Sequence, residues 1–330
     1  MTSAVSGKKA PHRAPSLRDE VLAGLRGTPK TLPAKLFYDE RGAELFDAIT
    51  HLDEYYLTRT ELAILVANAD AIASAIGAGS VLLEYGSGEA EKIRLLLDHM
   101  RGENAPAAYV PIDVSAVQLE RIAEELRVAY PEIPVVPVAA DYTAPFDLPA
   151  LPPAARDARR VAFFPGSTIG NLHPPQAVEF LRMVARTCGR GGAIILGADL
   201  RKDPDVLHAA YNDRVGVTAA FNRNILVHLN RELGAAFDPE RFRHYAFYNP
   251  VAGRVEMHLV SLDDQFVDVA GDCIRFERGE SIWTESSYKY TPRVLDGLAQ
   301  QAGLHVAHSW TDEHDAFAVL HLVVNQVSRD

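Results

Sequence analysis

The stretch Val81-Leu82-Leu83-Glu84-Tyr85-Gly86-Ser87-Gly88 decides the fold of this chain. Its first four residues predict a buried β-strand, and the two glycines that follow predict a tight turn. Beyond the turn, Ile93, Leu96, Leu97 and Met100 recur with helical spacing. A strand that passes through a glycine turn into a helix is the unit from which doubly wound α/β sheets are built.

Further apolar runs continue this alternation of strands and helices. We predict strands at 81–84, 108–112, 135–140, 161–165 and 193–198, and a helix at 116–129. Near the C-terminus, a predicted helix at 292–302 precedes strands at 304–310 and 316–324, whose short connection predicts an antiparallel hairpin at the sheet edge. The predicted fold class is therefore α/β, a parallel sheet with a C-terminal antiparallel hairpin.

The flanking segments follow other patterns. Thr58-Arg59-Thr60-Glu61 has the form of a capping box and predicts the start of a helix. Residues 203–231 have a helical pattern, whereas the runs 255–262, 265–270 and 272–279 are typical of strands. The stretch 1–16 is small, polar and basic, so we expect a disordered tail there and no secretory signal.

Length and composition exclude several classes of protein. At roughly 150 residues per domain, 330 residues correspond to about two domains. The 48% hydrophobic and 23% charged fractions are those of a globular chain, not of a disordered protein or a disulfide scaffold. A net charge of −11 argues against a nucleic-acid or anionic-membrane partner. Cys188 and Cys273 form no CxxC pair, which fits a reducing cytoplasm.

Three consecutive predicted strands end in residues suited to a nucleotide. Gly86-Ser87-Gly88 follows the first strand, Asp113 ends the second, and Asp141 ends the third. Because the carboxyl ends of parallel strands meet at one edge of a sheet, we expect these residues to share a crevice. In doubly wound sheets, the acidic residue at the position of Asp113 accepts hydrogen bonds from ribose hydroxyls.

Two cofactors compete for this crevice. A dinucleotide fingerprint, G-x-G-x-x-G, requires glycine where this chain has Glu91, so a nicotinamide oxidoreductase is the weaker alternative. Glu84, Glu89 and Glu91 would also repel a pyrophosphate. S-adenosylmethionine carries a positive sulfonium and no phosphate, and these acidic residues therefore favour a methyltransferase.

Six longer sequence motifs indicate a particular family of methyltransferases. They are Leu36-Phe37-Tyr38-Asp39, the run 54–61 (EYYLTRTE), the run 84–92 (EYGSGEAEK), the run 166–171 (GSTIGN), the run 216–224 (GVTAAFNRN) and Thr284-Glu285-Ser286-Ser287. With these strings in this order, the chain resembles the bacterial L-histidine Nα-methyltransferases of ergothioneine biosynthesis, which form hercynine (trimethylhistidine) from S-adenosylmethionine. The resemblance covers nearly the whole chain after the tail.

The resemblance implies a fold and a division into domains. It implies a Rossmann-like class I methyltransferase sheet at 61–201 and 289–330, with S-adenosyl-L-methionine as the methyl donor and no metal. The remainder, 17–60 and 202–288, would form a discontinuous α+β substrate-binding domain.

It also implies the residues of the site. The cofactor-binding positions fall on Tyr38, Gly86, Lys92, Asp113, Asp141 and Tyr142. The histidine-binding positions fall on Tyr56, Asn171, Tyr211, Glu285 and Ser287, with Phe46, Gly166, Thr168 and Met257 lining the pocket.

The chemistry gives each polar residue a role. Methyl transfer is an in-line displacement, which requires the free amine to lie close to the methyl carbon. Asn171 and Tyr211 would donate hydrogen bonds to the substrate carboxylate. Glu285 and Ser287 share one face of an extended segment and would hold the two imidazole nitrogens. Tyr56 would be the catalytic residue, accepting the ammonium proton together with water.

Two alternatives stay open on the residues alone. The same chemistry could act on tryptophan or tyrosine, although an indole or phenol would leave the Glu285 carboxylate poorly satisfied. A non-catalytic ligand-binding protein could use the same fold. The histidine pairs His305/His308 and His244/His258 lack neighbouring metal ligands, so we expect no metal. We expect a cytoplasmic monomer that binds L-histidine, with no nucleic acid and no membrane as partner.

Overall fold

The computed structural model describes residues 16–88, 90–144 and 146–325. Residues 1–15 of the predicted tail lie outside this part of the chain. The last residue of that prediction, Ser16, is the N-cap of the first helix, and its hydroxyl accepts a hydrogen bond from the Asp19 N–H at 3.2 Å. The tail prediction was wrong for Ser16 because its side chain satisfies a helix N–H that has no partner within the helix.

The described residues form ten α-helices and thirteen strands. The helices are α1 (Leu17–Leu25), α2 (Glu40–Thr50), α3 (Leu57–Ala67), α4 (Ala69–Ile76), α5 (Glu91–Asp98), α6 (Ala116–Ala129), α7 (Pro174–Cys188), α8 (Pro204–Tyr211), α9 (Val217–Leu233) and α10 (Pro292–Gln301). The strands are β1 (Lys30–Thr31), β2 (Val81–Tyr85), β3 (Ala108–Asp113), β4 (Val138–Ala139), β5 (Arg160–Phe164), β6 (Ala193–Asp199), β7 (Phe242–Asn249), β8 (Arg254–Ser261), β9 (Gln265–Val269), β10 (Asp272–Phe276), β11 (Ser281–Tyr288), β12 (Leu304–Thr311) and β13 (Phe317–Val324).

Seven strands form the main sheet, in the order β12-β13-β6-β5-β2-β3-β4. Strands β6, β5, β2, β3 and β4 are parallel, whereas β13 is antiparallel to β6 and β12 is antiparallel to β13. The chain places β3 and β4 on one side of β2, and β5 and β6 on the other. The order therefore reverses between β2 and β5, and the predicted α/β class with its C-terminal hairpin is confirmed.

The core lies on both faces of this sheet. Every residue of β2 is buried, because helices cover both faces of a parallel sheet. Leu83 belongs to one hydrophobic cluster together with Leu181 of α7. Leu82, which points to the opposite face, belongs to a second cluster with Leu97 of α5. The continuous apolar run that predicted the strand is the consequence of this burial on two sides.

Two local predictions change, and strand β7 was missed. The third strand shortens from 135–140 to β4, since Pro137 has no N–H to donate to the strand ladder. The helical segment 203–231 divides into α8 and α9, and Gly216 before α9 has a φ of 83°. Strand β7 was not predicted, because its burial does not alternate regularly along the chain.

The chain divides into two compact units. The smaller unit comprises the described residues up to Phe46, together with Gly216–Tyr245 and Met257–Glu285. The sheet unit comprises Asp47–Val215, Ala246–Glu256 and the described residues from Ser286 onward. These boundaries differ from the predicted ones, and the functions assigned to the two predicted domains stay predictions.

The remaining strands form two small sheets. Strands β9 and β10 pair as an antiparallel hairpin. Strand β1 pairs in parallel with β11, and the four-stranded order is β1-β11-β8-β7. Of the helices within the described ranges, none is long and apolar enough to cross a membrane.

Candidate active site

Two predicted site residues lie at the switch point of the main sheet, between β2 and β5. Gly86 directly follows β2 with a φ of 78°, a conformation in which a side chain would be strained. A Cβ added to Gly86 would lie 3.3 Å from the hydroxyl oxygen of Tyr142. Gly166 follows β5 with a φ of 76°. The structure therefore brings Gly86 and Tyr142 together at the position where doubly wound sheets bind their ligands.

Glu84 is a buried acid beneath this glycine turn. Its carboxylate accepts hydrogen bonds from the hydroxyl of Tyr109 and, at 3.2 Å, from the hydroxyl of Ser87. Burial raises the pKa of Glu84 to about 7, although both hydroxyls act in the opposite direction. The charge of this side chain therefore changes close to neutral pH.

The two predicted aspartates differ in their surroundings. Asp113 is the last residue of β3, and its Oδ1 accepts the Ser115 N–H at 3.0 Å. Burial raises the pKa of Asp113. Asp141 lies beyond the end of β4, is exposed, and accepts the N–H of Thr143 at 3.0 Å. Only Asp113 therefore ends its strand as predicted, because β4 stops earlier.

Glu61 connects two other predicted residues. Its buried carboxylate accepts the backbone N–H of Gly166 at 2.9 Å and the ammonium of Lys92 at 2.5 Å. The predicted capping box was wrong, because α3 begins at Leu57 and Glu61 turns its side chain toward the loop after β5. The side chain that was expected to cap the helix instead bonds to two of the predicted site residues, Lys92 and Gly166.

The loop after β5 is held in a strained conformation. Ser167 is buried and has a φ of 56°, which is uncommon for a residue with a side chain. Its hydroxyl accepts the backbone N–H of Asp199 at 2.8 Å, so this loop is bonded to the end of β6. The 3₁₀ turn Thr168–Asn171 follows, and the Thr168 hydroxyl donates to the Pro165 carbonyl at 3.0 Å. Asn171 ends this turn.

A buried polar cluster surrounds Tyr56. The Tyr56 hydroxyl donates to the two carboxylate oxygens of Asp199 at 2.8 and 3.0 Å. It also accepts a hydrogen bond from the Lys202 Nζ at 2.5 Å. Burial, and next the Asp199 charge, raise the pKa of the Tyr56 phenol, while burial lowers the pKa of Lys202 to about 8. Tyr56 is therefore a neutral hydrogen-bonding group and not a phenolate.

The same cluster continues through Lys289 to two predicted substrate residues. The Lys289 Nζ lies 2.7 Å from Asp199 Oδ2 and 2.9 Å from both the Tyr211 hydroxyl and Ser287 Oγ. The Tyr211 hydroxyl donates to Ser287 Oγ at 2.7 Å. Tyr56, Tyr211 and Ser287, which lie far apart in the chain, thus meet around one carboxylate and two lysines.

Three members of this cluster were missed as functional residues. Asp199 had a signal, because it ends the fifth predicted strand in the same way that Asp113 ends the second. Lys202 and Lys289 carried none, since an isolated lysine is usually exposed. The Lys289 side chain is 0% exposed, and a fully buried ammonium requires the three partners that it has here.

The smaller unit contains the other predicted residues. Tyr38 and Phe46 pack edge to face with their ring centroids 5.8 Å apart, and Phe221 contacts both rings. Met257 lies in β8, and its carbonyl accepts the Thr284 hydroxyl at 3.0 Å. Glu285 lies in β11, as the prediction of an extended segment requires, and its side chain is half-buried. Among the described residues there is no group of three or more His, Cys, Asp or Glu that could hold a metal ion.

Comparison with known proteins identifies relatives along nearly the whole chain. Residues 17–324 match the family described as histidine-specific, SAM-dependent methyltransferase. The chain is 43% identical over 308 residues to histidine N-alpha-methyltransferase of Mycolicibacterium smegmatis, covering 93% of this chain and 94% of that protein. It is 42% identical to histidine N-alpha-methyltransferase of Mycobacterium tuberculosis, covering 95% and 96%. Ergothioneine biosynthesis protein 1 of Neurospora crassa is 31% identical over 86% of this chain and 32% of its own length.

Proposed function

Because this chain belongs to the family of histidine-specific, S-adenosylmethionine-dependent methyltransferases, we propose that it trimethylates the α-amino group of L-histidine. The product is hercynine, and the reaction is the first step of ergothioneine biosynthesis. The observation that carries this proposal is the 43% identity to a histidine N-alpha-methyltransferase across 93% of the chain. The similarity to ergothioneine biosynthesis protein 1 supports the assignment of this reaction to ergothioneine biosynthesis.

The crevice at the switch point fits S-adenosylmethionine, which supplies the methyl group on a positive sulfonium. The absence of a Cβ at Gly86 leaves space for close approach beside Tyr142. Asp113 ends β3 where its carboxylate can accept ribose hydroxyls. Lys92, Asp141 and Tyr38 complete the proposed cofactor-binding set.

The cluster around Asp199 suits a carboxylate. While Lys202 is protonated, two lysines and one aspartate leave one net positive charge in this buried region, which attracts an anion. Asn171 and Tyr211 are the proposed donors to the histidine carboxylate, and for this role the single Tyr211 hydroxyl proton would turn from Ser287 to the substrate. Phe46, Gly166, Thr168 and Met257 are the proposed walls of the pocket.

The hydrogen bonds of Ser287 support its proposed role toward one imidazole nitrogen of the substrate. Its oxygen accepts from Lys289 at 2.9 Å and, until the Tyr211 proton turns to the substrate carboxylate, from Tyr211 at 2.7 Å, so the Ser287 proton itself is available to the substrate. Ser287 therefore donates its own proton, and an unprotonated ring nitrogen is its complement. The other ring nitrogen then carries hydrogen and suits the carboxylate of Glu285. A neutral imidazole satisfies both residues, whereas a phenol or an indole does not.

Purified protein tests the proposal directly. It should be incubated with S-adenosylmethionine and an equimolar mixture of the twenty amino acids, and the products read by mass spectrometry. Trimethylated histidine is the expected product. A mixture without it, or one in which tryptophan or tyrosine is methylated instead, would contradict the proposal. Cofactor binding without any turnover would indicate the non-catalytic alternative.

We also propose that the enzyme works in the cytoplasm as a monomer, with small molecules as its partners. The free thiols Cys188 and Cys273 fit a reducing compartment. Size-exclusion chromatography with light scattering would test the oligomeric state, because a dimer has twice the mass of the chain.

A further inference from the structure

Lys202 occupies an unusual position beside Tyr56. Its Nζ lies 2.5 Å from the Tyr56 hydroxyl, 2.6 Å from Asp199 Oδ1 and 2.7 Å from the Leu200 carbonyl oxygen. These three partners use all three N–H groups of an ammonium. The Lys202 side chain is 12% exposed, whereas Asp199 is 0% exposed. Part of the lysine side chain therefore reaches water, whereas the carboxylate that it pairs with does not.

The three partners of Lys202 differ in what they can do. The Leu200 carbonyl and the Asp199 carboxylate can only accept hydrogen bonds, whereas the Tyr56 hydroxyl can donate or accept. When Lys202 loses one proton, its two remaining N–H groups stay with the two obligate acceptors. The lone pair then faces the Tyr56 hydroxyl. The proton that Lys202 gains and loses is therefore the one on the side of Tyr56.

We propose that neutral Lys202 is the terminal base of the reaction and receives the substrate's ammonium proton through the Tyr56 hydroxyl. This inference rests on the proposed function and on the role expected for Tyr56 from the sequence, in which Tyr56 accepts the ammonium proton of histidine. An N–H bond of the ammonium breaks, its proton passes to the Tyr56 oxygen, and the Tyr56 hydroxyl proton passes to Lys202. The freed amine then forms the N–C bond while the C–S bond breaks and its electron pair stays on sulfur.

The proton balance requires a route by which one proton leaves the site in every methyl transfer. Converting an ammonium into a trimethylammonium releases three protons, one for each methyl group that is added. Lys202 returns each proton to water through its exposed edge and becomes neutral again. Tyr56 acts as a relay and keeps its own proton between rounds, which agrees with the raised pKa of its phenol.

The electrostatic surroundings support this cycle. Burial lowers the pKa of Lys202 to about 8, and the neighbouring Lys289 acts in the same direction, while Asp199 and Asp312 oppose them. Roughly a tenth of the protein therefore carries neutral Lys202 at pH 7. The titratable and charged groups that face Lys202 are Asp199 at the end of β6, Tyr56 before α3, Lys289 after β11 and Asp312 after β12.

Two substitutions at Lys202 test the inference. Lys202→Arg keeps a positive charge that cannot be deprotonated, and Lys202→Ala removes the amine. We expect kcat at neutral pH to fall about 100-fold or more in both variants. By calorimetry, S-adenosylhomocysteine affinity should stay within about threefold of wild type in both, and histidine affinity should stay within about threefold in Lys202→Arg, which keeps the positive charge. Added primary amines should restore part of the Lys202→Ala activity, with a rate that rises with amine basicity. Lys35→Met, at an exposed lysine, is the control and should leave kcat unchanged.

The pH profile gives a readout that a purely structural role would not change. Wild-type kcat should decrease about tenfold per pH unit below a pH of about 8, because protonation removes the base. That limb should be absent in Lys202→Arg, because the guanidinium keeps its proton throughout this pH range. A Lys202→Arg variant with kcat within about threefold of wild type, or a folded Lys202→Ala variant that no amine rescues, would overturn the inference. Wild-type protein that binds histidine without methylating it would overturn the proposed function, and this inference with it.

Discussion

The buried carboxylate of Glu61 accepts the backbone N–H of Gly166 at 2.9 and 3.0 Å through its two oxygens. A side chain of α3 thus holds the loop that follows β5, and the same carboxylate binds the Lys92 ammonium on α5. Glu61 thus bonds both to the loop after β5 and to the helix after β2, on the two sides of the switch point. The geometry of the proposed crevice therefore depends on a helix that carries none of the proposed ligands.

Glu61→Gln tests this dependence. An amide has one oxygen instead of two and no charge for Lys92, so we expect the free energy of unfolding to fall by about 1–3 kcal/mol. Histidine and S-adenosylmethionine affinities should weaken together. Urea unfolding and calorimetry measure these effects. Glu44→Gln, at an exposed ion pair, is the control and should change stability by less than about 0.5 kcal/mol. Unchanged stability in Glu61→Gln would contradict the assigned role.

Gly197→Ala, a substitution in β6, also tests the role of the Glu61 carboxylate. A Cβ at Gly197 would lie 2.0 Å from Glu61 Oε1, so we expect the variant to lose about 1–3 kcal/mol of stability. Adding Glu61→Ala should relieve part of that loss, which a double-mutant cycle in urea would reveal as non-additivity. Gly297→Ala in α10 meets nothing within 4 Å and should be neutral or stabilising. Additive losses at Gly197 and Glu61 would show that the clash is not with this side chain.

Tyr56→Phe separates binding from proton transfer. The substitution keeps the ring and removes the hydroxyl that bonds to both Asp199 and Lys202. We expect kcat to fall about 100-fold or more, while the affinity for S-adenosylhomocysteine stays within about twofold. Steady-state kinetics and calorimetry measure the two effects. Tyr245→Phe, at a ring that is 48% exposed, is the control. An equal loss of cofactor affinity would argue that Tyr56 has a structural role.

Glu285→Ala tests the recognition of the imidazole. Removing the carboxylate leaves the ring N–H without its acceptor, so kcat/KM for histidine should fall by about 100-fold or more. S-adenosylhomocysteine binding should remain nearly intact. Glu285→Gln retains an acceptor oxygen and should lose less. If both variants lost the cofactor as well, Glu285 would not be a substrate residue.

The substitution Glu84→Gln should change the way in which the free energy of unfolding depends on pH. Burial raises the folded-state pKa of Glu84 from 4.5 to about 7, so the folded protein binds this proton more tightly than the unfolded chain does. Its contribution to stability is therefore full below a pH of about 4.5 and is lost as the pH rises through about 7. The wild-type free energy of unfolding should decrease by up to about 1.4 kcal/mol per pH unit in this window relative to Glu84→Gln. Parallel profiles for the two proteins would contradict the prediction.

Much of the main sheet could be predicted because its strands are buried on both faces. The run from Val81 to Tyr85 is apolar enough to specify a central strand, and the glycines after it specify a turn. Helix α6 was predicted with its observed bounds, since its apolar spacing is regular and Pro131 follows it. Strand β4 was predicted too long because local hydrophobicity does not report the loss of a donor at Pro137.

Contacts between distant residues were less accessible to sequence reasoning. The Thr58–Glu61 string satisfied a local rule for helix caps, yet Glu61 bonds to Gly166, which is more than a hundred residues away. Lys202 and Lys289 have no periodicity or motif of their own. Their importance comes from burial beside Asp199, which no local pattern expresses.

The sequence by itself determined the α/β class, the glycine turn after β2, the family and the identities of the proposed ligands, because these follow from local patterns and ordered motifs. Only the tertiary structure decided which side chains share a carboxylate and which groups keep or release a proton. Tyr56, Lys202 and Lys289 acquire their properties from Asp199, and that carboxylate reaches them only when β6 and the segments before α3 and after β11 pack together. Burial then removes the water that would otherwise screen these charges, and the cost of an unpaired charge keeps the cluster intact.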